Sequence, residues 1–424
     1  MLSALLVSFG IFLAIGLPIA FGMGLSSFIA LIIGGRIPLN VVPQRLFVAI
    51  DSFSMMAIPL FILAGELMNG AGITARIVRF SSSLVGHIRG GLAHVNILAS
   101  MFFAGISGSA SADSASLGSM LIPAMVEDGY DADFSVAVTA TSSTIGPIIP
   151  PSIMMIIYGS ITGDSIGSLF LGGVIPGILI GIGLMIVAYI ISVRRGYKAE
   201  KRVPLKGVIK AFFNSLVALI MPFIILGGIL SGVFTATESG VIAVVYGLGA
   251  GIYLKELNLR KIVTIFINSG ITSAITMFVL ASAQILGWVL ARERFPQIVV
   301  NSLVSLSDSP MVIFLLILAF LFVLGFFMDG TAAMIILVPV FVPIIQKFGF
   351  HPIQFAVVVI MMLLVGAVTP PVGVLLFITC GIAKISIVKA SKAAIPFIIS
   401  MLIVILLCTF FPSLVTFIPT HLMK

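Results

Sequence analysis

Four short segments of this 424-residue chain combine residue types that can hold small ions without a metal-ligating cluster. They are Gly105-Ile-Ser-Gly-Ser-Ala-Ser-Ala-Asp113, Thr141-Ser-Ser-Thr-Ile-Gly-Pro-Ile-Ile-Pro-Pro-Ser152, Gly325-Phe-Phe-Met-Asp-Gly-Thr331 and Gly366-Ala-Val-Thr-Pro-Pro-Val-Gly373, each set in apolar surroundings. Proline has no amide hydrogen and its ring clashes with the preceding turn, so Pro150-Pro151 and Pro370-Pro371 leave carbonyls without helical partners. In a bilayer such irregular backbone is tolerated only where protein buries it or a wet cavity receives it. Free carbonyls and hydroxyls suit a small hard cation such as sodium, and helix N-termini at the same places present amides and positive dipole ends to an anion. The chemistry expected is joint binding of sodium and an anionic solute.

Asp113 and Asp329 stand apart, because carboxylates inside membrane segments are expensive and usually functional. Each can be a cation ligand, a proton acceptor or the N-cap of a returning helix arm, and the cap is the reading favoured here. Glu66 and Glu238 fall near helix ends, where long polar side chains reach the interface. His87, His94, His351 and His421 make no ligand spacing, Cys380 and Cys408 sit in apolar runs as packing residues, and Trp288 is read as an interfacial anchor. The acidic run Glu127, Asp128, Asp131 and Asp133 reads as a solvated face. With no Gly-Lys dipeptide, His-Glu-x-x-His or Gly-x-Ser-x-Gly, the chain offers no ATP or peptide hydrolysis and is not expected to be an enzyme.

The elements that carry these segments follow from composition. With 60% hydrophobic and 8% charged residues and a mean hydropathy of +1.31, the chain is an all-α polytopic membrane protein. Its continuous apolar runs exclude the alternating strands of a β-barrel. The net charge of +8 sits in short loops, which makes it an orientation signal rather than a nucleic-acid patch. The breaks also repeat: Gly105, Pro123, Gly129, Gly146, Pro150, Pro151 and Pro176 recur 220 residues on as Gly325, Pro343, Gly349, Gly366, Pro370, Pro371 and Pro396. Duplication marked by Gly and Pro inside apolar segments is how secondary transporters build a central site.

Apolar runs near 3–20, 22–35, 54–70, 132–160 and 166–193, then 209–231, 235–254, 272–290, 352–382 and 393–414, give five crossings per half. The first repeat is 1–205, with a re-entrant hairpin at 92–126 and a broken helix at 132–160. The second is 206–424, with a hairpin at 311–346 and a broken helix at 352–382. An odd number of crossings inverts the second copy, so the two halves are related by inverted topology. One orientation places 16 of the 22 basic residues in the cytoplasm, among them Arg194, Arg195, Lys198, Lys201, Arg202, Lys206 and Lys210, and leaves both termini outside. The stretches 40–52 and 258–270 can lie flat as arms between fixed and moving parts, or be ordinary loop helices.

At these residues the sequence resembles the large membrane subunit of tripartite ATP-independent periplasmic (TRAP) transporters, in the ion-transporter superfamily. The likeness is carried nearly end to end by Pro59-Leu-Phe-Ile-Leu-Ala-Gly-Glu66, Gly105 to Asp113, Ile149-Pro-Pro-Ser152 and Thr369-Pro-Pro-Val-Gly373. The resemblance implies an elevator-type carrier in the inner membrane, with sodium as the coupling ion. One sodium site is then expected around Ser107, Ser109, Gly146, Ile149 and Pro151, and the other around Gly325, Gly330, Gly366, Thr369 and Val372, with substrate near Ser111, Asp113 and Thr331. It also implies two partners, a small four-helix membrane subunit and a periplasmic substrate-binding protein. The solutes are organic anions such as C4-dicarboxylates, sialic acid and other sugar acids. A one-component sodium/dicarboxylate symporter of the same superfamily is the nearest alternative, and an ion channel a more distant one.

Overall fold

The computed structural model describes every residue except Arg36, Phe327, Pro371, Val372 and Lys424. Among the described residues all regular structure is helical. The first half comprises α1 (Leu2–Ala14), α2 (Ile19–Gly34), α3 (Val41–Ile50), α4 (Ala57–Gly70), α5 (Ile73–Val85), α6 (Gly91–Ser107), α7 (Ala110–Glu127), α8 (Ala132–Ser143), α9 (Ile153–Thr162) and α10 (Ile166–Arg195). The second comprises α11 (Leu205–Leu230), α12 (Ala236–Tyr253), α13 (Leu259–Arg292), α14 (Phe295–Leu306), α15 (Pro310–Gly325), α16 (Gly330–Phe348), α17 (Pro352–Gly366), α18 (Val374–Ala383), α19 (Ile387–Phe410) and α20 (Ser413–Leu422). Six are long and apolar enough to cross a membrane, and eight crossings result if two bent pairs each count once.

The interruptions fall on the Gly and Pro marks. Two residues separate α6 from α7, and the stretch 144–152, with a cis Pro150-Pro151 peptide, separates α8 from α9. In the second half 326–329 lies between α15 and α16, and 367–373 between α17 and α18.

Several expectations need correction. The crossings at 3–20 and 22–35 become helices of 13 and 16 residues, because Gly16 turns the chain at φ +77° and Pro18 stands before α2. The stretch 258–270 is not an arm. It is the first part of the 34-residue α13, capped by Asn258 Oδ1 accepting from Lys261 N at 2.9 Å and followed by no breaker strong enough to end it. Residues 40–52 do form the separate α3, which with the next helical stretch, Ser54–Gly70, makes a bend of 65°. The helices just before the two arm pairs are α5 and α14, and α14 bends by 119° into α15.

The centre of the molecule is built from α8 and α17, buried along almost their whole length; α17 is apolar on nearly every side, as a buried helix is expected to be, whereas α8 carries five buried hydroxyls. Hydroxyls on α8 return to their own helix, with Thr141 Oγ1 donating to Ala137 O at 2.7 Å and Ser143 Oγ to Thr139 O at 2.7 Å. Asn96 on α6 joins the two elements: its Nδ2 donates to Thr139 Oγ1 at 2.7 Å, its Oδ1 accepts from Ser142 Oγ at 3.2 Å, and Ser100 Oγ donates to Ser142 Oγ at 3.0 Å. At the periphery the polarity reverses. Phe213 and Phe223 on α11 and Ile395, Ile399 and Ile403 on α19 are all more than half exposed, which suits contact with lipid chains rather than water.

The acidic run is not simply solvated. Arg195, ending α10, donates to Asp131 Oδ2 at 2.7 Å and to Asp133 Oδ1 at 3.1 Å, and Tyr197 OH donates to Asp131 Oδ2 at 2.7 Å. This cluster ties the end of α10 to the start of α8.

Candidate functional site

The first tip is formed where α6 ends at Ser107. Gly108 adopts φ +60°, and a Cβ there would lie 2.6 Å from the Pro151 carbonyl oxygen, so the turn and the close approach both require glycine. Ser109 Oγ caps α7 by accepting from Ala112 N at 3.5 Å. Ser107 Oγ donates to Asp113 Oδ1 and accepts from Ser109 N. Asp113 is fully buried, and its Oδ2 has no hydrogen-bond partner among the described residues. That oxygen faces Gly146, where a Cβ would come within 2.5 Å of it. The cap expected at Asp113 is therefore corrected: Ser109 takes that role because the helix begins one turn earlier. The neighbouring break is closed by Ser152, whose Oγ donates to Pro147 O at 2.5 Å and caps α9 by accepting from Met155 N at 3.2 Å.

The second tip keeps the expected cap. Asp329 Oδ1 accepts from Thr331 N at 2.9 Å and Ala332 N at 3.3 Å, opening α16. Ser109 and Asp329 stand 220 residues apart and both cap, whereas the residue 220 on from Asp113 is Ala333. The buried carboxylate thus belongs to one half alone. Behind this tip Gly325 and Gly366 meet backbone to backbone, and a Cβ on Gly366 would lie 2.5 Å from Gly325 Cα.

Between the tips lies a cavity of about 480 Å³. Its lining includes the first residues of four helices: Ala110 to Ala112 of α7, Ile153 and Met154 of α9, Gly330 to Ala332 of α16, and Val374 and Leu375 of α18. Each helix start carries roughly half a positive charge. Among the described residues no lysine or arginine lines the cavity. Two further helices close it, α4 with Ile62, Gly65, Glu66 and Asn69, and α13 with Thr272, Ile275, Thr276 and Val279.

Of the expected site residues, Ser107, Ser109, Ser111, Gly330 and Thr331 line the cavity. Asp113 and Gly146 stand together behind Ser107, and Pro151 abuts Gly108. Gly325 and Gly366 make a backbone contact outside the lining. Ile149 packs its side chain on Gly177 of α10, and Thr369 donates its hydroxyl to Val365 O at 2.6 Å, so neither side chain is brought to the cavity. Val372, with Pro371, lies outside the described residues. Sequence reasoning missed Glu66 and Asn69: three residues apart, they share one face of α4, and that spacing was the available signal.

A chain whose described residues are helical throughout, with a lipid-suited periphery and a cavity ringed by helix starts, is a multi-pass membrane transporter. Residues 6–414 match the model of the family described as tripartite ATP-independent periplasmic transporter, DctM component. The chain belongs to this family, whose members are transporter permeases and not enzymes. It is 38% identical over 409 residues to the sialic acid TRAP transporter large permease of Vibrio cholerae serotype O1, covering 95% of each chain. It is 36% identical over 431 residues to the C4-dicarboxylate TRAP transporter large permease of the same organism, covering 96% of this chain and 95% of that one. Among solved structures, the YdaH transporter of Alcanivorax borkumensis superposes with a TM-score of 0.60 at 15% identity, over 88% of this chain and 89% of that one, a likeness of fold.

Proposed function

We propose that this chain is the membrane permease of a sodium-driven importer of an organic anion, working by an elevator motion in the inner membrane. The observation that carries the reading is a cavity ringed by four helix N-termini and lined, among the described residues, by no lysine or arginine. Dipole ends and free amides attract an anion, but they do not neutralise it. A co-bound cation supplies that charge, and the oxygen-rich clusters beside the cavity suit sodium. The first is Ser107, Ser109, Gly146, Ile149 and Pro151, with Asp113 adjoining, and the second Gly325, Gly330, Gly366 and Thr369, to which the sequence adds Val372 outside the described residues. Substrate sits against Ser111 and Thr331, and against Asp113 through Ser107.

In this account the two halves, 1–205 and 206–424, are inverted repeats, and the pairs α6–α7 and α15–α16 are re-entrant hairpins. The hairpin tips and broken helices travel together while α4 and α13 form part of a static wall. A periplasmic binding protein delivers the anion and a small four-helix membrane subunit braces the wall. Both termini face the periplasm, as the distribution of basic residues favours. Two sodium ions with a monoanion move one net charge, so the membrane potential adds about 2.3 kcal/mol per 100 mV.

The test is uptake of labelled sialic acid and succinate into proteoliposomes holding this chain and its small partner. Uptake that requires both a sodium gradient and the binding protein is expected. Uptake by the membrane part alone would favour a one-component symporter, and currents far above carrier turnover would indicate a channel.

A further inference from the structure

The wall opposite the helix starts carries a polar pair that the binding of a simple anion does not use. Glu66 is half-buried on α4, lines the cavity, and its carboxylate makes no hydrogen bond or ion pair among the described residues. Its position is set by its neighbour: a Cβ on Gly65 would already touch Ser107 Cα at 3.4 Å and Ile106 O at 3.5 Å, so α4 lies directly against the first tip. Asn69, one turn further along the same face, is held through Oδ1, which accepts from Ser116 Oγ at 2.8 Å and from Thr74 Oγ1 at 2.9 Å. Its amide nitrogen is left as a free donor at an exposed position lining the cavity.

An unpaired acceptor and a free donor side by side are complementary to a hydroxyl group, which donates one hydrogen bond and accepts others. They oppose a second carboxylate, which can accept from Asn69 but is repelled by Glu66, with no basic side chain among the described lining residues to compensate. Asp329, which also lines the cavity, uses its Oδ1 to cap α16 through the amides of Thr331 and Ala332 and, among the described residues, has no free donor of the Asn69 kind paired with it by hydrogen bonding. We infer that Glu66 and Asn69 select a hydroxylated monoanion of the sugar-acid type, its carboxylate toward the helix starts and its hydroxyls toward α4, and reject dicarboxylates. This inference rests on the transport reading above.

The experiment is sodium-dependent uptake by the complete tripartite system, with N-acetylneuraminate, D-gluconate and succinate as labelled probes or competitors. In the wild-type protein at least one hydroxylated monoanion is expected to show a KM at least about tenfold below that of succinate. Glu66→Gln, which keeps the shape and removes the charge, should bring the two within about threefold. Asn69→Leu should weaken the hydroxylated probe without improving succinate. A wild-type protein that prefers succinate would overturn the inference on its own, even if neither variant folds. So would a Glu66→Gln protein with unchanged selectivity, or one that loses its sodium dependence instead, which would place Glu66 on the cation. Absence of sodium-dependent uptake for every probe would sink the transport reading, and this inference with it.

Discussion

At the scale of single residues, the site depends on glycines that let backbone meet backbone. A methyl on Gly366 would stand 2.5 Å from Gly325 Cα, and neither partner is a flexible side chain that can swing away. Gly366→Ala is therefore expected to destabilise the protein by about 1–3 kcal/mol, as overpacking does, and to abolish uptake by separating α15 from α17. Gly249→Ala, on α12 with nothing within 4 Å, should instead be neutral or gain up to about 1 kcal/mol from helix propensity. Melting of the purified variants separates the two cases. The Gly and Pro marks were legible in the sequence because so few residue types tolerate such contacts. The caps were half legible: Ser109 and Asp113 are both good cap residues four positions apart, and only the point where the chain turns at Gly108 decides between them.

At the scale of elements, α6 is joined to α8 by the buried network of Asn96, Ser100, Thr139 and Ser142. Asn96→Leu removes the bridge from α6 to both Thr139 and Ser142, leaving the Ser142 hydroxyl only its own helix's Thr139 carbonyl as acceptor, so a loss of about 1–3 kcal/mol is expected, with a lower melting temperature as the readout. The tie between α10 and α8 is electrostatic and lies outside the apolar segments. Asp131 is held below the usual carboxylate value chiefly by the Tyr197 hydroxyl, with Arg195 adding to it. A lowered pKa stabilises the folded state above the unfolded value near about 3.9, and the contribution disappears as pH falls through the folded value. Asp131→Asn should therefore cost less than about 1 kcal/mol at neutral pH, since the pair is exposed, and progressively less as pH falls through the folded value. Converging melting curves on acidification would show it. The strong breakers made most element boundaries readable. Of the two candidate arms, 40–52 forms the separate α3, whereas 258–270 runs on into α13 because Gly270 inside an apolar helix does not end it.

At the scale of the whole molecule, the membrane class was evident from composition, and the recurring Gly and Pro marks fall on helix interruptions in both halves. The cavity was visible only in part. Its floor is made by the marked tips, but its wall comes from Glu66 and Asn69 on α4 and Thr272 and Thr276 on α13, which local sequence does not bring together. Tertiary packing across more than 200 residues of chain does so. The same lining, with four helix starts and no basic side chain among the described residues, makes the central claim testable without transport. The most direct measurement is the affinity of the purified membrane complex for its anion, titrated in sodium chloride and in potassium chloride at equal ionic strength. Affinity that rises at least about tenfold with sodium, and anion binding that tightens sodium by the same factor, is the result predicted. Equal affinity in the two salts would contradict the account, because the anion would then be held without the coupling ion.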